Sequence, residues 1–362
     1  MYESFEVSHY RCFSKLTFSE LERVNLITGI NNVGKTALLE ALFLHCGTYN
    51  LGLTLGINSF RGMGTMKVEL GRWGATPWDS LFHQFDTTQT IDLSGKHREH
   101  GRWSLQFRLL REPSELPRLT QTVREEPGAE NRQTVLDTSE TAKVLQLKYQ
   151  VNGRHGSYYM ILDQNGPRFV PTPPAPPFPA FFLGSRTRIP AKEEAERFGI
   201  LEKQRKEDVV LRVLQLLEPR LKRLAMVVAA GEPILHGDIG TGPLMPLPLM
   251  GEGLVRLASV AAHIGNAPDG VVLLDEFENG LHYSVLPKVW RAIGEAARQF
   301  NTQLFATTHS WECIVAAHRA FSASKYYDFR LYRIERVGED IRVVTYDQET
   351  LEAAIEAGLE VR

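Results

Sequence analysis

A single eight-residue stretch near the start of the chain constrains its fold more than any other feature. The stretch fits the pattern G-x-x-x-x-G-K-[ST] in full. Its residues are Gly29, Ile30, Asn31, Asn32, Val33, Gly34, Lys35 and Thr36. The apolar run Val24–Ile30 predicts a buried strand before it, and Thr36–Cys46, which is apolar around most of its circumference, predicts a buried helix after it. A strand, a glycine-bearing loop and a helix in this order open a parallel α/β unit.

The loop has the chemistry of a phosphate-binding site. Its glycines allow consecutive backbone N–H groups to point at phosphate oxygens, and the N-terminus of the following helix adds partial positive charge. We expect Lys35 to bridge the β- and γ-phosphates of ATP, and Thr36 to offer its hydroxyl to Mg²⁺. The other nucleotide contacts that we expect from this segment are Gly29, Asn31, Asn32, Val33, Gly34 and Ala37.

Two polar clusters follow predicted strands far downstream. The strand Val271–Leu274 runs into Asp275 and Glu276. We expect the first carboxylate to order Mg²⁺ through water and the second to polarise an attacking water. The next strand, Gln303–Thr307, leads to His309, whose imidazole is expected to hydrogen-bond the γ-phosphate and that water. A strand-end histidine with ordinary structural partners is the alternative interpretation of His309.

Composition excludes several classes of protein. The 362-residue chain has 43% hydrophobic residues and a net charge of -2, from 41 Lys+Arg against 43 Asp+Glu. These values indicate a globular protein without a global attraction to nucleic acid. No apolar run approaches the roughly 20 residues that span a bilayer. The three scattered cysteines fit neither a disulfide framework nor a zinc site, so we expect a cytoplasmic protein with no membrane partner.

The motifs split one α/β core into two halves. Residues 1–64 are assigned to the first half and residues 249–362 to the second. The segment 65–185 between them predicts an inserted antiparallel β lobe, because short β-rich runs alternate there with polar connections. Within it, Glu112–Ala142 is charged and poor in apolar residues, and predicts a mobile loop.

Two further segments complete the organisation of the chain. Val170–Ala180 has six prolines in nine residues at its centre and predicts a stiff, extended connector. Residues 186–248 are assigned to a helical subregion, because Ala191–Gly199 and Arg205–Leu217 have helical spacing of apolar residues. The prediction for the whole chain is an α/β fold with a mixed, largely parallel core sheet.

Three motifs in this order, GINNVGKT, LLDEFENGLH and TTHS, resemble the ABC-type ATPase heads of the SMC, RecF and OLD group. The resemblance is strongest to the short AAA-type ATPases of bacterial anti-phage systems, and it covers nearly the whole chain. It implies a P-loop NTPase fold that uses ATP and Mg²⁺. It also implies that Asp275 is the Walker B carboxylate, Glu276 the catalytic base and His309 the switch histidine. Residues 278–282, with Asn279, would form the D-loop at a dimer interface.

The resemblance implies three looser assignments. Gln84 would approach Mg²⁺ from the lobe, and Arg11 would approach the nucleotide, although an exposed arginine at a strand end is the alternative. The segment Gly251, Glu252 and Gly253 stands in the place of the ABC signature, which caps the γ-phosphate of ATP bound by the partner subunit. The usual signature serine is replaced by Gly251, so we expect slow turnover. A glycine N-cap without a role in ATP binding is the alternative.

Segment lengths restrict the type of head. About 215 residues separate Thr36 from Gly251, and the lobe takes up most of them, which leaves no room for the coiled-coil arms of SMC proteins. About 53 residues follow His309, too few for the Toprim nuclease domain of OLD proteins. A nuclease working with this head is therefore expected to be a separate polypeptide.

The sequence predicts an ATPase that forms a homodimer or higher oligomer around ATP and regulates a separate effector, such as a nuclease, in anti-phage defence. The alternative is a RecF- or SMC-like clamp that binds DNA for repair. Basic clusters at 186–192, 203–206 and 220–223 could face DNA, but interleaved glutamates favour solvated helix faces. A transporter subunit is disfavoured by the absent serine and the inserted lobe, and a GTPase by the lack of a guanine-reading motif.

Overall fold

A computed structural model describes residues 1–58, 76–110, 120–121, 134–135, 143–163, 166–185, 189–229 and 231–362. The predicted mobile loop Glu112–Ala142 lies outside the described residues except for two short strands, and Arg186 and Arg188 lie outside them as well.

Strands occur throughout the described part of the chain. In chain order they are β1 (Tyr2–Tyr10), β2 (Phe13–Phe18), β3 (Val24–Thr28), β4 (Ile91–His97), β5 (Gly101–Leu110), β6 (Thr120–Gln121), β7 (Thr134–Val135), β8 (Lys143–Val151), β9 (Arg154–Asp163), β10 (Gly166–Val170), β11 (Ala180–Leu183), β12 (Arg223–Ala229), β13 (Glu232–Asp238), β14 (Met245–Pro246), β15 (Val271–Leu274), β16 (Gln303–Thr307), β17 (Phe329–Val337) and β18 (Asp340–Tyr346).

Helices alternate with strands mainly in the C-terminal half. They are α1 (Lys35–Cys46), α2 (Leu53–Gly56), α3 (Ala191–Lys203), α4 (Asp208–Leu214), α5 (Leu247–Met250), α6 (Glu252–Gly265), α7 (Leu286–Gln299), α8 (Trp311–Ser322) and α9 (Gln348–Glu356). The predicted strands Val271–Leu274 and Gln303–Thr307 are confirmed with unchanged bounds.

The six-stranded sheet carries the sequence motifs. Its order is β11-β15-β16-β3-β17-β18, with every neighbouring pair parallel except β17 and β18. The strands β3, β15 and β16 are buried along their full length, because helices or a second sheet cover both faces. Parallel strands end at one edge, so the segments that follow β3, β11, β15 and β16 meet there.

The seven-stranded antiparallel sheet corrects the predicted domain boundaries. Its order is β10-β9-β8-β5-β4-β1-β2, so the first two strands of the chain pair with the predicted lobe rather than with the parallel sheet. The alternating burial of β1 and β2 reflects one face packed on the core and one exposed face. Helix α1 lies between the two sheets and contacts β1 and β4 on one side and β11, β15 and β16 on the other.

The third layer covers the opposite face of the six-stranded sheet. Apolar residues of α3, α4, α6, α7 and α8 pack there against Val24, Leu26, Val272 and Leu274. The segment 186–248 is only partly helical, which corrects the predicted helical subregion. Its second part forms the antiparallel sheet β12-β13-β14. The β-branched and apolar residues of β12 and β13 fit a half-buried sheet better than a helix.

One glutamine side chain ties the two large sheets together. Gln303, at the start of β16, accepts a hydrogen bond from the Tyr2 backbone N–H (2.7 Å) and donates to the Tyr2 carbonyl oxygen (2.9 Å). Its amide also donates to the carbonyl oxygen of Glu22 (2.8 Å). The Gln303 side chain therefore satisfies buried backbone groups of β1 that the ladder with β4 leaves open at its bulge.

Replacement of this amide should destabilise the fold. We expect Gln303→Leu to lower the free energy of unfolding by about 2–4 kcal/mol, because buried backbone groups lose their partners. Urea unfolding followed by circular dichroism measures the change. Gln299→Leu is the control, since that exposed side chain accepts one long hydrogen bond from Arg212 (3.3 Å). Equal unfolding midpoints for the two variants would contradict the proposed tie.

Candidate nucleotide-binding site

The glycine loop between β3 and α1 has a conformation that its sequence requires. Gly29 has a φ of 141° and Gly34 a φ of 111°, values that favour glycine. A Cβ built on Gly29 would lie 2.3 Å from the carbonyl oxygen of Ile334 on β17. A Cβ on Gly34 would lie 2.7 Å from Cys12 Sγ. The loop is therefore packed closely between β17 and the turn after β1.

Lys35 and Thr36 open helix α1 next to this loop. The Lys35 ammonium donates to the carbonyl oxygens of Gly29 (2.6 Å) and Ile30 (3.1 Å). Burial lowers the pKa of Lys35, while the nearby carboxylates of Asp275 and Glu276 oppose that shift. A phosphate group beside the ammonium would favour its charged form in the same way.

The Asp275 carboxylate accepts hydrogen bonds from three hydroxyl groups, which come from different segments at this edge of the sheet. Thr36 Oγ1 lies 3.1 Å from its carboxylate, Thr307 Oγ1 2.7 Å and Ser185 Oγ 3.2 Å. The aspartate itself is buried. Carboxylate and hydroxyl oxygens are the hard ligands that Mg²⁺ prefers, so Thr36 and Asp275 form a donor set that fits this ion.

Glu276 is held in an unusual backbone conformation. Its φ is 49°, in the left-handed region, which costs a non-glycine residue about 1–2 kcal/mol. The Glu276 N–H donates to Thr307 Oγ1 (2.8 Å), and its carboxylate accepts from Asn279 Nδ2 (2.7 Å). These contacts fix the direction in which the carboxylate points.

The phosphate-binding loop before α1 (residues 29–36, called the P-loop below), Asp275 and Glu276 face one cavity of about 1140 Å³. Arg11 and Gln84 line the same cavity; contact of Arg11 with nucleotide and of Gln84 with Mg²⁺ stays a prediction. The predicted loop residues that line it are Asn31, Asn32, Gly34, Lys35, Thr36 and Ala37. Gly29 and Val33 are not among the lining residues; Val33 is buried in the core beneath the loop.

Arg11 is not the solvated arginine of the alternative interpretation. Its Nε lies 2.7 Å from Glu40 Oε2, and the Glu40 side chain on α1 is fully buried. A second guanidinium nitrogen donates to Asn58 Oδ1 (3.0 Å). The ion pair therefore fixes Arg11 at the cavity wall. Glu40 was missed by sequence reasoning, although one carboxylate within the otherwise apolar α1 was a signal for a buried partner.

His309 lies outside the lining of this cavity. Its Nδ1 is 3.4 Å from Glu278 Oε1, and its backbone N–H donates to the same oxygen (3.1 Å). The side chain is 53% exposed. The contacts with Glu278 agree with the alternative interpretation, in which His309 is a strand-end histidine with ordinary structural partners. The exposed ring remains accessible to a second molecule.

The residues at the signature position lie outside the lining of the P-loop cavity. Gly251, Glu252 and Gly253 do not line the P-loop cavity; Glu252 and Asn279 instead line a second cavity of about 780 Å³. Gly251 has a φ of 127°, so a serine there would be strained, and this gives the absent signature serine a backbone cause. A Cβ on Gly253 would lie 2.6 Å from the carbonyl oxygen of Gly280, so the start of α6 touches the D-loop segment.

Sequence reasoning did not assign Ser185, Arg256 or Arg336 to the site. Ser185 follows β11, a strand that the proline-rich connector concealed. Arg256 donates from α6 to the backbone carbonyl oxygens of Asp275 and Glu276. Arg336, on β17, lines the P-loop cavity. The position of each residue follows from strand order, which no local pattern reports.

A second group of possible metal ligands lies at the turn between β4 and β5, where His97, Glu99 and His100 come together. Burial lowers the pKa of His97 to about 3, so this ring is neutral. Its Nδ1 accepts from the backbone N–H groups of Glu99 (3.2 Å) and His100 (3.3 Å). Its Nε2 lies 2.6 Å from the Met1 amino nitrogen. Both ring nitrogens have partners, so the contacts explain the group without a metal.

Comparison with known proteins places the chain in a family. Residues 24–314 match the family described as "AAA domain, putative AbiEii toxin, Type IV TA system". The chain belongs to this family, which confirms the predicted resemblance to AAA-type ATPases. A stretch of 42 residues is 48% identical to the DNA replication and repair protein RecF of Idiomarina loihiensis. That stretch covers 12% of this chain and only 12% of the RecF protein.

Solved structures show a likeness over the whole length. An SMC head bound to the C-winged helix domain of ScpA is 13% identical over 98% of this chain and 99% of its own, with a TM-score of 0.48. The SMC head domain from Thermotoga maritima is 12% identical over 96% of this chain and 99% of its own, with a TM-score of 0.40.

In the described part of this chain, helices of the length and apolarity that cross a bilayer do not occur.

The contact between α6 and the D-loop segment can be tested on the isolated protein. We expect Gly253→Ala to lower the free energy of unfolding by about 1–3 kcal/mol, because its methyl group meets the Gly280 carbonyl oxygen. Chemical denaturation measures the loss. Gly56→Ala is the matched control, since a Cβ on this helical glycine would meet nothing within 4 Å. A Gly253→Ala protein as stable as the control would show that α6 and the D-loop are not in contact.

Proposed function

We propose that this protein binds and hydrolyses ATP. The observation that carries the proposal is that Lys35 and Thr36 face the same cavity as Asp275 and Glu276, which come from a distant segment of the chain. A cation to bind phosphate, a hydroxyl–carboxylate pair and a second carboxylate are the groups that phosphoryl transfer to water requires. The family match supports the same class of activity.

Each residue has a role in the proposed reaction. Glu276 orients the attacking water and accepts its proton. Lys35 donates to the β- and γ-phosphates and offsets the charge that develops there. Mg²⁺ held by Thr36 and Asp275 would supply further positive charge at the same oxygens. Arg11, held at the cavity wall by Glu40, would approach the nucleotide, and Gln84, which lines the same cavity, would approach Mg²⁺.

The proposed base can be tested by one substitution. We expect Glu276→Gln to lower ATP turnover at least about 100-fold, because an amide cannot accept the proton, while binding of ATP persists. Steady-state phosphate release and binding of a fluorescent ATP analogue measure the two properties. Glu196→Gln, an exposed residue on α3, should match the wild type. Equal turnover in the wild type and Glu276→Gln would remove Glu276 as the base.

We propose further that two chains enclose two ATP molecules. Gly251, Glu252 and Gly253 do not line the P-loop cavity of their own chain, so they suit ATP bound by a second copy. Both surfaces carry exposed apolar side chains: Leu249 and Tyr283 beside the signature and D-loop segments, and Ile30 and Phe85 beside the P-loop cavity. The D-loop segment with Asn279, which the start of α6 touches, would lie at this interface, and His309, which contacts Glu278 of that segment, would sense the γ-phosphate.

The dimer interface predicts an ATP-dependent change in mass. In the Glu276→Gln background, Mg²⁺ and ATP should double the mass measured by light scattering. Adding Leu249→Glu should leave the protein at the mass of one chain, because it places a charge in the apolar contact. Adding Val228→Glu, at a residue that is 69% exposed compared with 74% for Leu249, should leave the doubling intact. If Leu249→Glu also doubles in mass, this face is not the interface.

The proposed output is control of a separately encoded effector, such as a nuclease, in anti-phage defence in the cytoplasm. The toxin–antitoxin description of the family supports this setting. The positive φ of Gly251, at which a serine would be strained, supports slow turnover suited to a switch. The similarity of 42 residues to RecF supports the alternative, a DNA-binding clamp.

The described basic residues give only weak evidence on whether the protein controls an effector or clamps DNA. Arg220 pairs with Glu218 (2.8 Å) and Arg223 lies 3.4 Å from Asp238, so their charges are partly neutralised. These pairs favour a solvated face over a DNA surface. Binding of duplex DNA to the ATP-bound Glu276→Gln protein, with an affinity that falls steeply with salt, would instead favour the clamp.

A further inference from the structure

The backbone on both sides of the Asp275–Glu276 peptide is held by one arginine. Arg256 Nη2 donates to the carbonyl oxygen of Asp275 (2.6 Å) and to that of Glu276 (3.0 Å). A third contact joins Nη1 to the carbonyl oxygen of Gly184 (3.5 Å). Charge-assisted hydrogen bonds of this kind are stronger than bonds between neutral groups. Arg256 therefore fixes the backbone from which the proposed base projects.

The other contacts of Glu276 come from different elements. Its N–H donates to Thr307 Oγ1 on β16, and its carboxylate accepts from Asn279 Nδ2. Since the residue has a left-handed φ of 49°, it keeps this conformation only while its surroundings hold it. The contact of Arg256 with the carbonyl oxygen is the one that originates on helix α6.

Helix α6 begins at the signature position and ends in the helical layer. Its first residue is Glu252, which follows Gly251, and Arg256 lies just over one turn further on. Burial lowers the pKa of Arg256, while the carboxylates of Asp275, Glu276, Glu278 and Glu252 oppose that shift. One path from the start of α6 to the Glu276 carbonyl oxygen therefore runs through the Arg256 side chain.

We infer that Arg256 is a positioning residue that couples the signature end of α6 to the placement of Glu276. This inference rests on the proposed ATPase function. When a second copy's ATP contacts Gly251–Gly253, the position of α6 is fixed, and Arg256 then sets the Glu276 backbone for the reaction in its own chain. Arg256 does not line the P-loop cavity, so we expect it to affect turnover through the backbone of Asp275 and Glu276.

The test uses two substitutions of Arg256 and a control. Arg256→Met removes every donor, and we expect it to lower kcat about 10- to 100-fold with KM for ATP changed less than about twofold. Arg256→Lys keeps a cationic donor and should give an intermediate kcat. Arg212→Met, an exposed arginine on α4 that donates to Gln299, should equal the wild type.

A double-mutant cycle separates positioning from general damage. Adding Arg256→Met to Glu276→Gln should cause no further loss of turnover, because a misplaced glutamine has no base function left to lose. A further loss equal to that of the single substitution would overturn the inference, because Arg256 would then act independently of Glu276. If Arg256→Met does not fold in a urea titration, the same cycle with Arg256→Lys decides the question.

The outcomes distinguish this inference from the proposed function. Wild-type turnover with an unchanged kcat in the Arg256 variants would overturn the positioning role and leave the ATPase proposal in place. A wild type that binds no ATP or hydrolyses none would overturn both. A rise in KM with unchanged kcat would assign Arg256 to nucleotide binding and would also contradict the inference.

Discussion

The hydrogen bonds to the buried Asp275 carboxylate are the contacts on which the rest of the site depends. They join the first turn of α1 through Thr36, strand β16 through Thr307 and the end of β11 through Ser185. A buried carboxylate needs such partners, because an uncompensated charge in the core is costly. The same bonds bring the P-loop, the Glu276 peptide and the end of β16 to one edge of the sheet.

The layers of the fold keep that edge rigid. Helix α1 has apolar residues around its circumference because it is enclosed by two sheets, and its one buried acid, Glu40, is neutralised by Arg11. Gln303 links β16 to β1, so the strand that supplies Thr307 is tied to the antiparallel sheet. Functional groups are thus supported from both sides of the parallel sheet, as a preorganised site requires.

Unusual backbone conformations at this edge of the sheet have two causes: glycine residues at some positions, and side-chain contacts at another. Gly29 and Gly34 allow the loop to pass close to β17 and Cys12, and Gly251 allows the chain to enter α6. Glu276 has a left-handed φ without being glycine, and it is held there by Thr307, Asn279 and Arg256. The first kind of position is visible in a sequence, while the second is visible only in the contacts.

The sequence by itself determined the phosphate loop, the strands that lead to Asp275 and His309, and the α/β class, because each depends on local pattern: glycine spacing, apolar runs and the polar residues that end them. The tertiary structure decided that β1 and β2 join the antiparallel sheet and that Ser185, after β11, reaches Asp275. It decided that residues 223–229, 232–238 and 245–246 form strands, and that His309 contacts Glu278 and does not line the P-loop cavity. It also decided the Arg11–Glu40 pair and the reach of Arg256. Those features depend on which distant segments become neighbours, and strand order, unlike strand propensity, is set by the packing of the whole chain.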